Sequence, residues 1–314
     1  MEDTIDILMA TYNGEQYIKD QLKSIESQTY KNWYLIISDD CSTDGTISII
    51  KKFQEKYPTK VNIIYNKKSS GSAKNNFFNL FKYSKNKYIA CCDQDDVWLN
   101  NKLEIMYNTL KKQEKQSSKE TPILVYSDLM VVDCNLNIID KSFFNYSQLR
   151  KKIRGVNDLL IENSITGCAM MFNSNLKEYL LKPYNLNKII MHDWLAGLVA
   201  YSFGVGIFID QPLVKYRQHG DNSVGANSPK KVSNLISNAK KGFKFAKNVV
   251  INTYNQIEEF YRINKLEIDD VGLSIINGYA MLNNKNKIYR LYFYRRNKIQ
   301  KIGLVRKVWL LVFG

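Results

Sequence analysis

Residues 88–96 read YIACCDQDD, and this segment determines how the rest of the chain is interpreted. Five apolar or small residues in a row are typical of a strand that is buried on both faces, and three carboxylates follow within four positions. Earlier apolar segments at 5–10, 34–38 and 61–65 alternate with helical patterns, one of them at 43–57 with Ser42 or Thr43 as its N-cap. This alternation predicts an α/β chain with a mostly parallel central sheet, in which ligands bind at the carboxyl ends of the strands.

The second part of the pattern is less regular. Segments 123–126 and 130–132 have strand character and are joined by Ser127-Asp128-Leu129. An apolar run follows at 166–172, then a helical pattern at 194–201 and a final strand pattern at 213–216. We therefore expect further strands beside the first four, with a helix between the last two.

Charge is distributed unevenly along the chain. The 314 residues carry 45 Lys and Arg against 30 Asp and Glu, a formal net charge of +15. Residues 230–314 hold 17 of the basic residues and 5 of the acidic ones, and the composition changes after the Gly/Asn/Ser-rich segment 220–228. We predict a catalytic domain over residues 1–228, with halves at about 1–115 and 116–228, followed by a basic amphipathic helical tail over 229–314.

Composition excludes several classes of protein. A hydrophobic content of 45% excludes a disordered or low-complexity chain. No run of 18 apolar residues occurs, and the acidic start Met1-Glu2-Asp3 leads directly into a strand pattern, so we expect neither a spanning helix nor a signal peptide. The five cysteines have no metal-ligand spacing, and Cys91 and Cys92, adjacent in an apolar run, are expected to be buried free thiols in a reducing cytosol.

The carboxylates of Asp93, Asp95 and Asp96 crowd one strand end. Like charges at this spacing repel one another unless a cation binds or a proton is shared. Two interpretations stay open from the residues alone: a solvated acidic turn, or a site for Mg²⁺ or Mn²⁺ that bridges the phosphate oxygens of a substrate. Asp39, at the end of the second strand, has helix N-capping as its structural interpretation, a role that Asp40 or Ser42 could perform instead.

Both histidines of the chain lie in short polar segments with aromatic neighbours. His192 begins His192-Asp193-Trp194, in which Asp193 is a candidate general base and Trp194 a candidate platform for a sugar ring. His219 follows Arg217 in Tyr216-Arg217-Gln218-His219. Each of these residues has an alternative structural role, in the core or on a solvated surface.

Several motifs resemble a known family. ILMATYNG at 7–14, SDDCSTDGT at 38–46 and CDQDDVW at 92–98 resemble the family 2 glycosyltransferases of the GT-A fold. MHDW at 191–194 and YRQHGDN at 216–222 are similar to the branch that contains many bacterial rhamnosyltransferases of surface-polysaccharide synthesis. The resemblance covers roughly residues 3–225 and implies the same fold, with a donor site, a divalent metal and a catalytic base.

The resemblance also implies roles for individual residues. The residues implied in donor binding are Thr11, Tyr12, Asn13, Asp39, Lys74, Asp93, Gln94 and Arg217, with Thr11, Tyr12 and Asp39 at the nucleobase. The implied metal ligands are Asp95, Asp93 and His219. Asp193 corresponds to the catalytic base, and His192 shares that duty or orients the acceptor. Trp98 and Trp194 are the expected acceptor contacts.

The function implied is an inverting transfer of a sugar from a nucleotide-diphosphate donor, such as dTDP-rhamnose or a UDP-hexose, to a hydroxyl of a glycan. The expected acceptor is a lipid-linked oligosaccharide of bacterial O-antigen or capsule synthesis. Two alternatives stay open. A nucleotidyltransferase has a similar sheet, although the Gly-rich basic loop expected after its first strand is missing at 10–15. A non-catalytic, membrane-associated scaffold would use only the basic tail.

The tail has two interpretations. Lysines at 240, 241, 244 and 247 interleave with Phe243 and Phe245, and Trp309, Leu310 and Phe313 follow two basic residues near the end. This mixture suits a helix on an anionic membrane, which would place the protein on the inner face of the cell membrane. It also suits a helical bundle that packs on the catalytic domain. Nucleic acid is not expected as a partner.

Overall fold

The computed structural model describes residues 3–220, 239–268 and 270–313. The strands are β1 (Ile5–Thr11), β2 (Trp33–Asp39), β3 (Val61–Tyr65), β4 (Tyr88–Asp93), β5 (Val97–Trp98), β6 (Ile123–Val132), β7 (Ile138–Asp140), β8 (Met170–Asn173) and β9 (Val205–Arg217). In the described residues they form one sheet in the order β3-β2-β1-β4-β8-β6-β9-β5, with β7 beside β6.

The helices cover the sheet and form the tail. Those of the first part are α1 (Ile18–Glu26), α2 (Thr46–Lys56), α3 (Ala73–Phe81), α4 (Lys102–Glu114), α5 (Phe143–Tyr146), α6 (Val156–Leu159), α7 (Ser174–Leu180) and α8 (His192–Phe203). Those of the tail are α9 (Ala239–Asn264), α10 (Asp270–Ala280), α11 (Lys287–Arg296) and α12 (Leu304–Phe313). Among these helices of the described residues, none has both the length and the apolar composition required to cross a bilayer.

The first four strands are parallel, as the alternating pattern predicts. Every residue of β1 is buried. Its register places Thr11 beside Asp39 of β2 and Ala10 beside Asp93 of β4. The carboxyl ends of three strands therefore meet at one edge of the sheet, and the acidic segments that follow them lie there.

The second half of the sheet is mixed. β8 runs antiparallel between β4 and β6, so β6 and β9 again run in the direction of β4. β6 is one strand instead of two, with register shifts at Ser127/Asp128 and Asp128/Met130. The buried Asp128 carboxylate accepts from Ser142 Oγ at 2.5 Å, which gives this irregularity a hydrogen-bonded anchor. Because β9 is parallel to β6, the residues after it reach the same edge as Asp93.

The helices of the tail pack on the first part of the chain. Asn185 N donates to Glu259 Oε1 at 2.6 Å and Ile190 N donates to Gln256 Oε1 at 2.8 Å. The rings of Phe203 and Phe260 lie 5.9 Å apart between centroids. These contacts confirm one of the two interpretations of the tail, a helical bundle that packs on the rest of the chain. The predicted boundary near residue 228, and the side chains at 240, 241, 243, 244 and 245, lie outside what is described.

Candidate active site

The carboxylate of Asp39 is held at the end of β2 by neighbouring donors. Thr11 Oγ1 donates to Oδ1 at 3.1 Å, while Ser42 donates through N to Oδ2 at 2.9 Å and through Oγ to Oδ1 at 2.6 Å. Asn13, in the left-handed region with φ 45°, donates through N to Ser42 Oγ at 2.9 Å. Three of the predicted donor-binding residues, Thr11, Asn13 and Asp39, therefore lie in one hydrogen-bonded group.

Tyr12 and Gln94 join the loop after β1 to the loop after β4. Tyr12 N donates to Gln94 Oε1 and Gln94 Nε2 donates to Tyr12 O, both at 2.9 Å. A Cβ on Gly14 would lie 2.3 Å from Gln94 Oε1, so a larger residue there would displace the Gln94 amide from this pair. The ring of Tyr12 is exposed and is therefore accessible to a planar ligand.

Asp40 orders the loop that precedes α3. Its Oδ1 accepts from Ser70 N at 2.6 Å and from Asn66 Nδ2 at 3.0 Å. Burial raises the pKa of Asp40, but these hydrogen bonds outweigh it, so the pKa lies below its ordinary value. Asp40 is therefore a charged anchor that fixes segment 66–70 next to the Asp39 group.

Lys74 bonds to protein oxygens instead of being free for the donor contact that was predicted. Its Nζ donates to the carbonyl oxygens of Leu186 and Ile189, at 2.6 Å and 2.7 Å. Burial lowers the pKa of this ammonium. The contacts hold α3 against segment 186–189 and give no support to phosphate binding, because the ammonium is already bonded to protein oxygens.

An acidic cluster follows β4. One ligand atom each from Asp93, Asp96 and Cys168 lies within 4.8 Å of the others. Burial, followed by the charges of Asp95 and Asp193, raises the pKa of Asp93 to about 7. Burial and the charges of Asp95 and Asp93 also raise the pKa of Asp96. Crowding and burial thus oppose ionisation of Asp93 and Asp96, and a bound cation would relieve this repulsion.

Lys102 is a buried cation beside this cluster. Its Nζ donates to Cys168 O at 2.6 Å and lies 3.3 Å from the centroid of the Trp98 ring. Burial lowers the pKa of Lys102 to about 8, while nearby groups including Cys92 and Asp96 oppose that shift. Trp98 is 1% exposed, which contradicts its predicted role as an acceptor contact, because a covered ring cannot stack on a sugar.

Arg217 does not have the donor-binding role that was predicted for it. The residue is buried, and its donors are used inside the protein. Its N donates to Asp96 Oδ1 at 3.0 Å, Nε to Asp95 O at 2.8 Å, Nη1 to Cys134 O at 2.7 Å and Nη2 to Asp20 Oδ2 at 2.9 Å. This contradicts the predicted phosphate contact. Arg217 instead fixes the loop that carries Asp95 and Asp96.

His219 and Asp95 come together as predicted for metal ligands. His219 Nε2 lies 2.7 Å from Asp95 Oδ2, and the imidazole packs 4.6 Å from the Tyr17 ring, measured between centroids. Carboxylate oxygens with one imidazole nitrogen form a donor set that suits Mg²⁺ or Mn²⁺. The donor chemistry of Asp95 and His219 therefore fits the cation that the motifs imply, whereas the ligand atom of Asp93 groups with those of Asp96 and Cys168.

Asp193 is the second residue of α8 and faces the same edge of the sheet. Its Oδ1 accepts from Asn163 Nδ2 and its Oδ2 from Gly167 N, both at 3.0 Å. Burial raises the pKa of Asp193 to about 7, although hydrogen bonds from Trp194 N and Gly167 N oppose the shift. A carboxylate with fixed orientation and a pKa near neutrality is suited to general-base catalysis.

The two neighbours of Asp193 in sequence do not have their predicted positions. His192 is buried, its ring stacks on Phe77 at 4.1 Å, and burial lowers its pKa to about 3. Neither of its ring nitrogens has a hydrogen-bond partner within the described residues. Trp194 is 8% exposed and its Nε1 donates to Leu159 O at 2.6 Å. These positions contradict a catalytic His192 and a sugar platform at Trp194.

Sequence reasoning missed four residues of the site, namely Lys102, Asn163, Gly167 and Cys168. Gly167 carried a signal, since a glycine inside an apolar strand pattern often marks a close approach of backbone to another group. A Cβ on Gly167 would lie 2.8 Å from His192 Nε2. Asn163 and Lys102 had no comparable signal, because their partners are distant in sequence.

Comparison with known proteins agrees with this geometry. The family model described as glycosyl transferase family 2 matches residues 6–180, more than half of the chain. The dTDP-rhamnosyl transferase RfbG of Shigella flexneri is 32% identical over 228 residues, which cover 70% of this chain and 74% of the relative. The UDP-Glc:alpha-D-GlcNAc-diphosphoundecaprenol beta-1,3-glucosyltransferase WfgD of Escherichia coli is 33% identical over 108 residues, 34% of this chain and 41% of the relative.

A solved structure shares the architecture. The crystal structure of S. aureus TarS 1-349 in complex with UDP-GlcNAc superimposes with a TM-score of 0.57 at 15% identity, over 94% of this chain and 88% of that one. At this identity the likeness establishes the fold, which is the GT-A fold expected from the motifs. Since the family model also covers more than half of the chain, this protein belongs to the family 2 glycosyltransferases.

Proposed function

We propose that this glycosyltransferase is metal-dependent and inverting, and that Asp193 is its general base. The observation that carries the proposal is the placement of Asp193, whose two oxygens accept from Asn163 and Gly167. Asp193 also lies close enough to Asp93 for its charge to raise the pKa of that carboxyl. The candidate base and the candidate metal ligands therefore belong to one site.

The reaction is a direct displacement. The oxygen of the acceptor hydroxyl forms a bond to the anomeric carbon of the donor, and its proton passes to the Asp193 carboxylate. The bond from the anomeric carbon to the diphosphate breaks on the opposite face, so the configuration inverts and a nucleoside diphosphate leaves. A positioned general base contributes ~10²–10⁴-fold to such a rate. Alignment of the two substrates contributes a further effective-molarity term.

Asp95, Asp93 and His219 are the residues that would hold the cation. Bound there, Mg²⁺ or Mn²⁺ supplies positive charge that offsets the negative charge of the leaving diphosphate. The protein's own part is to keep the ligands in place. Arg217 does so by donating to Asp95 O and to Asp96 Oδ1.

The donor in this proposal is dTDP-rhamnose or a UDP-hexose, bound by the group around Asp39 and by the exposed ring of Tyr12. The name of the Shigella relative supports the first choice and that of the Escherichia relative the second. The acceptor is a lipid-linked glycan of bacterial polysaccharide synthesis at the inner face of the cell membrane. The Escherichia relative, whose printed substrate carries diphosphoundecaprenol, supports this acceptor.

Release of nucleoside diphosphate tests the proposal. Purified protein with Mn²⁺ is given dTDP-rhamnose, UDP-glucose, UDP-galactose and UDP-N-acetylglucosamine in parallel, and the expected result is release from one donor that stops in excess EDTA. Asp193→Asn should lower turnover by about 10²-fold or more, as expected for loss of a general base, with nucleotide affinity little changed. The matched control Asp210→Asn removes an exposed carboxylate and should have no effect. Release that is unaffected by EDTA, or a loss confined to nucleotide affinity, would contradict the proposal.

A further inference from the structure

Helix α11 presents apolar side chains to solvent. Ile288 is 81% exposed, Tyr292 57% and Tyr289 44%. Their spacing places them on one face of the helix. Phe293 and Tyr294 are buried and attach α11 to the rest of the tail. The outward face, here called the α11 face, is thus an apolar surface on a packed helix.

The sequence on both sides of α11 carries charge of one sign. Residues 271–314 contain nine Lys and Arg and neither Asp nor Glu. Four exposed basic residues flank the apolar side chains, namely Lys285, Lys287, Arg295 and Arg296. Lys285 Nζ lies 5.5 Å from the centroid of the Tyr289 ring, which keeps charge and aromatic ring together.

We propose that the α11 face docks on an anionic membrane surface. Ile288, Tyr289 and Tyr292 enter the headgroup region, and the flanking basic residues contact lipid phosphates. Aromatic and aliphatic side chains ringed by Lys and Arg are the composition that interfacial helices use on anionic leaflets. The proposal rests on the proposed function in one respect, since a lipid-linked acceptor requires the enzyme to work at such a surface.

This face differs from the one that the sequence pattern favoured. Leu310, expected to insert into lipid, is buried, and the side chains of Trp309 and Phe313 lie outside what is described. The last helix exposes Leu311 and Val312. α11 meets the requirement better, because it exposes three apolar side chains, two of them aromatic, with four exposed basic residues beside them. The membrane surface is thereby assigned to α11 instead of to the last helix.

The segment after α11 is tied to the loop that supports the base. Asn157 Nδ2 donates to Asn297 O at 2.8 Å, and Arg306 Nη1 lies 3.2 Å from Glu162 Oε1. Glu162 directly precedes Asn163, which donates to Asp193. The residues that follow α11 therefore contact the segment 157–163, which carries a hydrogen-bond partner of Asp193, and in this proposal the lipid-linked glycan is received there.

Co-sedimentation with vesicles tests the α11 face in the full chain. The vesicles are phosphatidylcholine alone or phosphatidylcholine with phosphatidylglycerol, at low salt and at about 1 M salt, where the Debye length is about 3 Å. We expect binding to the anionic vesicles at low salt and a large loss at high salt. The double variant Arg295→Glu/Arg296→Glu should bind at least roughly thirtyfold more weakly, from about 1 kcal/mol for each basic residue removed, and repulsion of the two new carboxylates adds to this loss. Ile288→Glu/Tyr292→Glu should also lose binding.

Matched controls distinguish vesicle binding through the α11 face from general effects of net charge and of exposed apolar residues. Lys51→Glu/Lys52→Glu makes the same change in net charge on exposed residues of α2, and Leu266→Glu replaces an apolar residue that is 92% exposed elsewhere in the tail. Both controls should bind vesicles like the unchanged chain. Equal binding to neutral and anionic vesicles, or α11 variants that bind as well as the controls, would overturn the proposal. A dimer that Tyr292→Glu dissociates, with no vesicle binding, would assign the face to a second copy instead.

Donor binding is followed in the same variants by the thermal shift with Mn²⁺ and UDP or dTDP. The α11 variants should keep this shift and the melting temperature, which shows that they fold. Because vesicle binding and nucleotide binding are read out separately, failure of the membrane proposal is distinguishable from failure of the proposed function.

Discussion

His219 Nε2 lies 2.7 Å from Asp95 Oδ2, although 124 positions separate the two residues in the chain. Asp95 follows β4 and His219 follows β9, and β8 and β6 lie between those strands in the sheet. Both strands run in the same direction, so the loops that follow them reach the same edge. The contact therefore depends on the whole sheet and brings an imidazole to the acidic segment of a distant loop.

From this contact we predict that Asp95 and His219 act together in metal-dependent donor binding. Asp95→Asn should abolish the additional nucleotide affinity that Mn²⁺ provides, and His219→Ala should reduce it, because each removes one ligand. Isothermal titration of UDP or dTDP with and without Mn²⁺ measures the difference. Asp210→Asn is the matched control. An unchanged dependence on Mn²⁺ in both site variants would show that the cation is held elsewhere.

Arg217 is predicted to matter for stability more than for phosphate contact. Arg217→Lys removes the guanidinium donors that bond to Asp95 O and Cys134 O around a side chain that is itself buried, and loss of such hydrogen bonds costs about 1 kcal/mol each. The ion pair with Asp20 adds little, since the Asp20 side chain is 51% exposed. Urea unfolding should show a lower midpoint, together with weaker metal-dependent nucleotide binding.

The control for this prediction is Arg262→Lys. Arg262 also pairs with a carboxylate, on Glu259, but its own side chain is 57% exposed. Its replacement should shift the unfolding midpoint much less than Arg217→Lys does. If Arg217→Lys leaves the midpoint unchanged and only weakens binding of the diphosphate, the phosphate role predicted from sequence would be correct after all.

The sequence pattern predicted those features of the fold that are determined by residues close together along the chain. β1 to β4, the parallel half of the sheet and the acidic segments at its edge follow from runs of apolar residues that end in carboxylates. The predicted N-cap of α2 was wrong for a local reason. Ser42 Oγ donates to Asp39 Oδ1, so α2 begins later, at Thr46.

What the pattern did not predict depends on contacts between distant segments. Trp98 and Trp194 have the composition of sugar platforms, but whether a ring is exposed is decided by packing, and both rings are covered. Arg217 has the charge for a phosphate, yet its donors are used by four partners from three separate segments, namely the loop after β4, the turn after β6 and helix α1. Asn163 could be identified as a partner of Asp193 only from the structure, in which the loop before β8 lies beside the start of α8.

The support of Asp193 by Asn163 predicts a change in pH dependence. With the pKa of Asp193 raised to about 7, the ionised base is lost below that value, so kcat/KM should fall with decreasing pH and level off above about 7. Asn163→Ala removes a hydrogen bond to the ionised form, which raises the pKa further. The midpoint of the profile should therefore move to higher pH, with partial recovery of rate in alkaline buffer.

Asn157→Ala is the matched control for this profile. It removes an amide that donates to Asn297 O in the same region of the fold but that is not bonded to Asp193. Its midpoint should stay where it is in the unchanged enzyme. A loss of rate in Asn163→Ala that is equal at every pH would mean that Asn163 supports the loop and not the ionised base.

The packing of the tail predicts unequal effects at two adjacent glutamates. Glu259 is 1% exposed and accepts from Asn185 N at 2.6 Å, whereas the side chain of Glu258 is 57% exposed and pairs with Lys188 at 2.8 Å. Glu259→Ala leaves a backbone N–H at the contact between tail and catalytic domain without its acceptor. The expected loss of unfolding free energy is about 1–3 kcal/mol, against at most about 1 kcal/mol for the exposed pair of Glu258→Ala.

Urea unfolding of the two variants measures this difference. A chain ending at residue 228 tests the same contact by removing the tail. That chain uncovers Phe203 and removes the acceptors of Asn185 and Ile190, so it should aggregate or unfold at lower temperature than the full chain. Equal stability of Glu259→Ala and Glu258→Ala, with a soluble and equally stable shortened chain, would mean that the tail is a separate unit. In that case the contacts between Arg306 and Glu162 could not transmit the position of α11 to the loop of Asn163, because nothing would hold the two parts together.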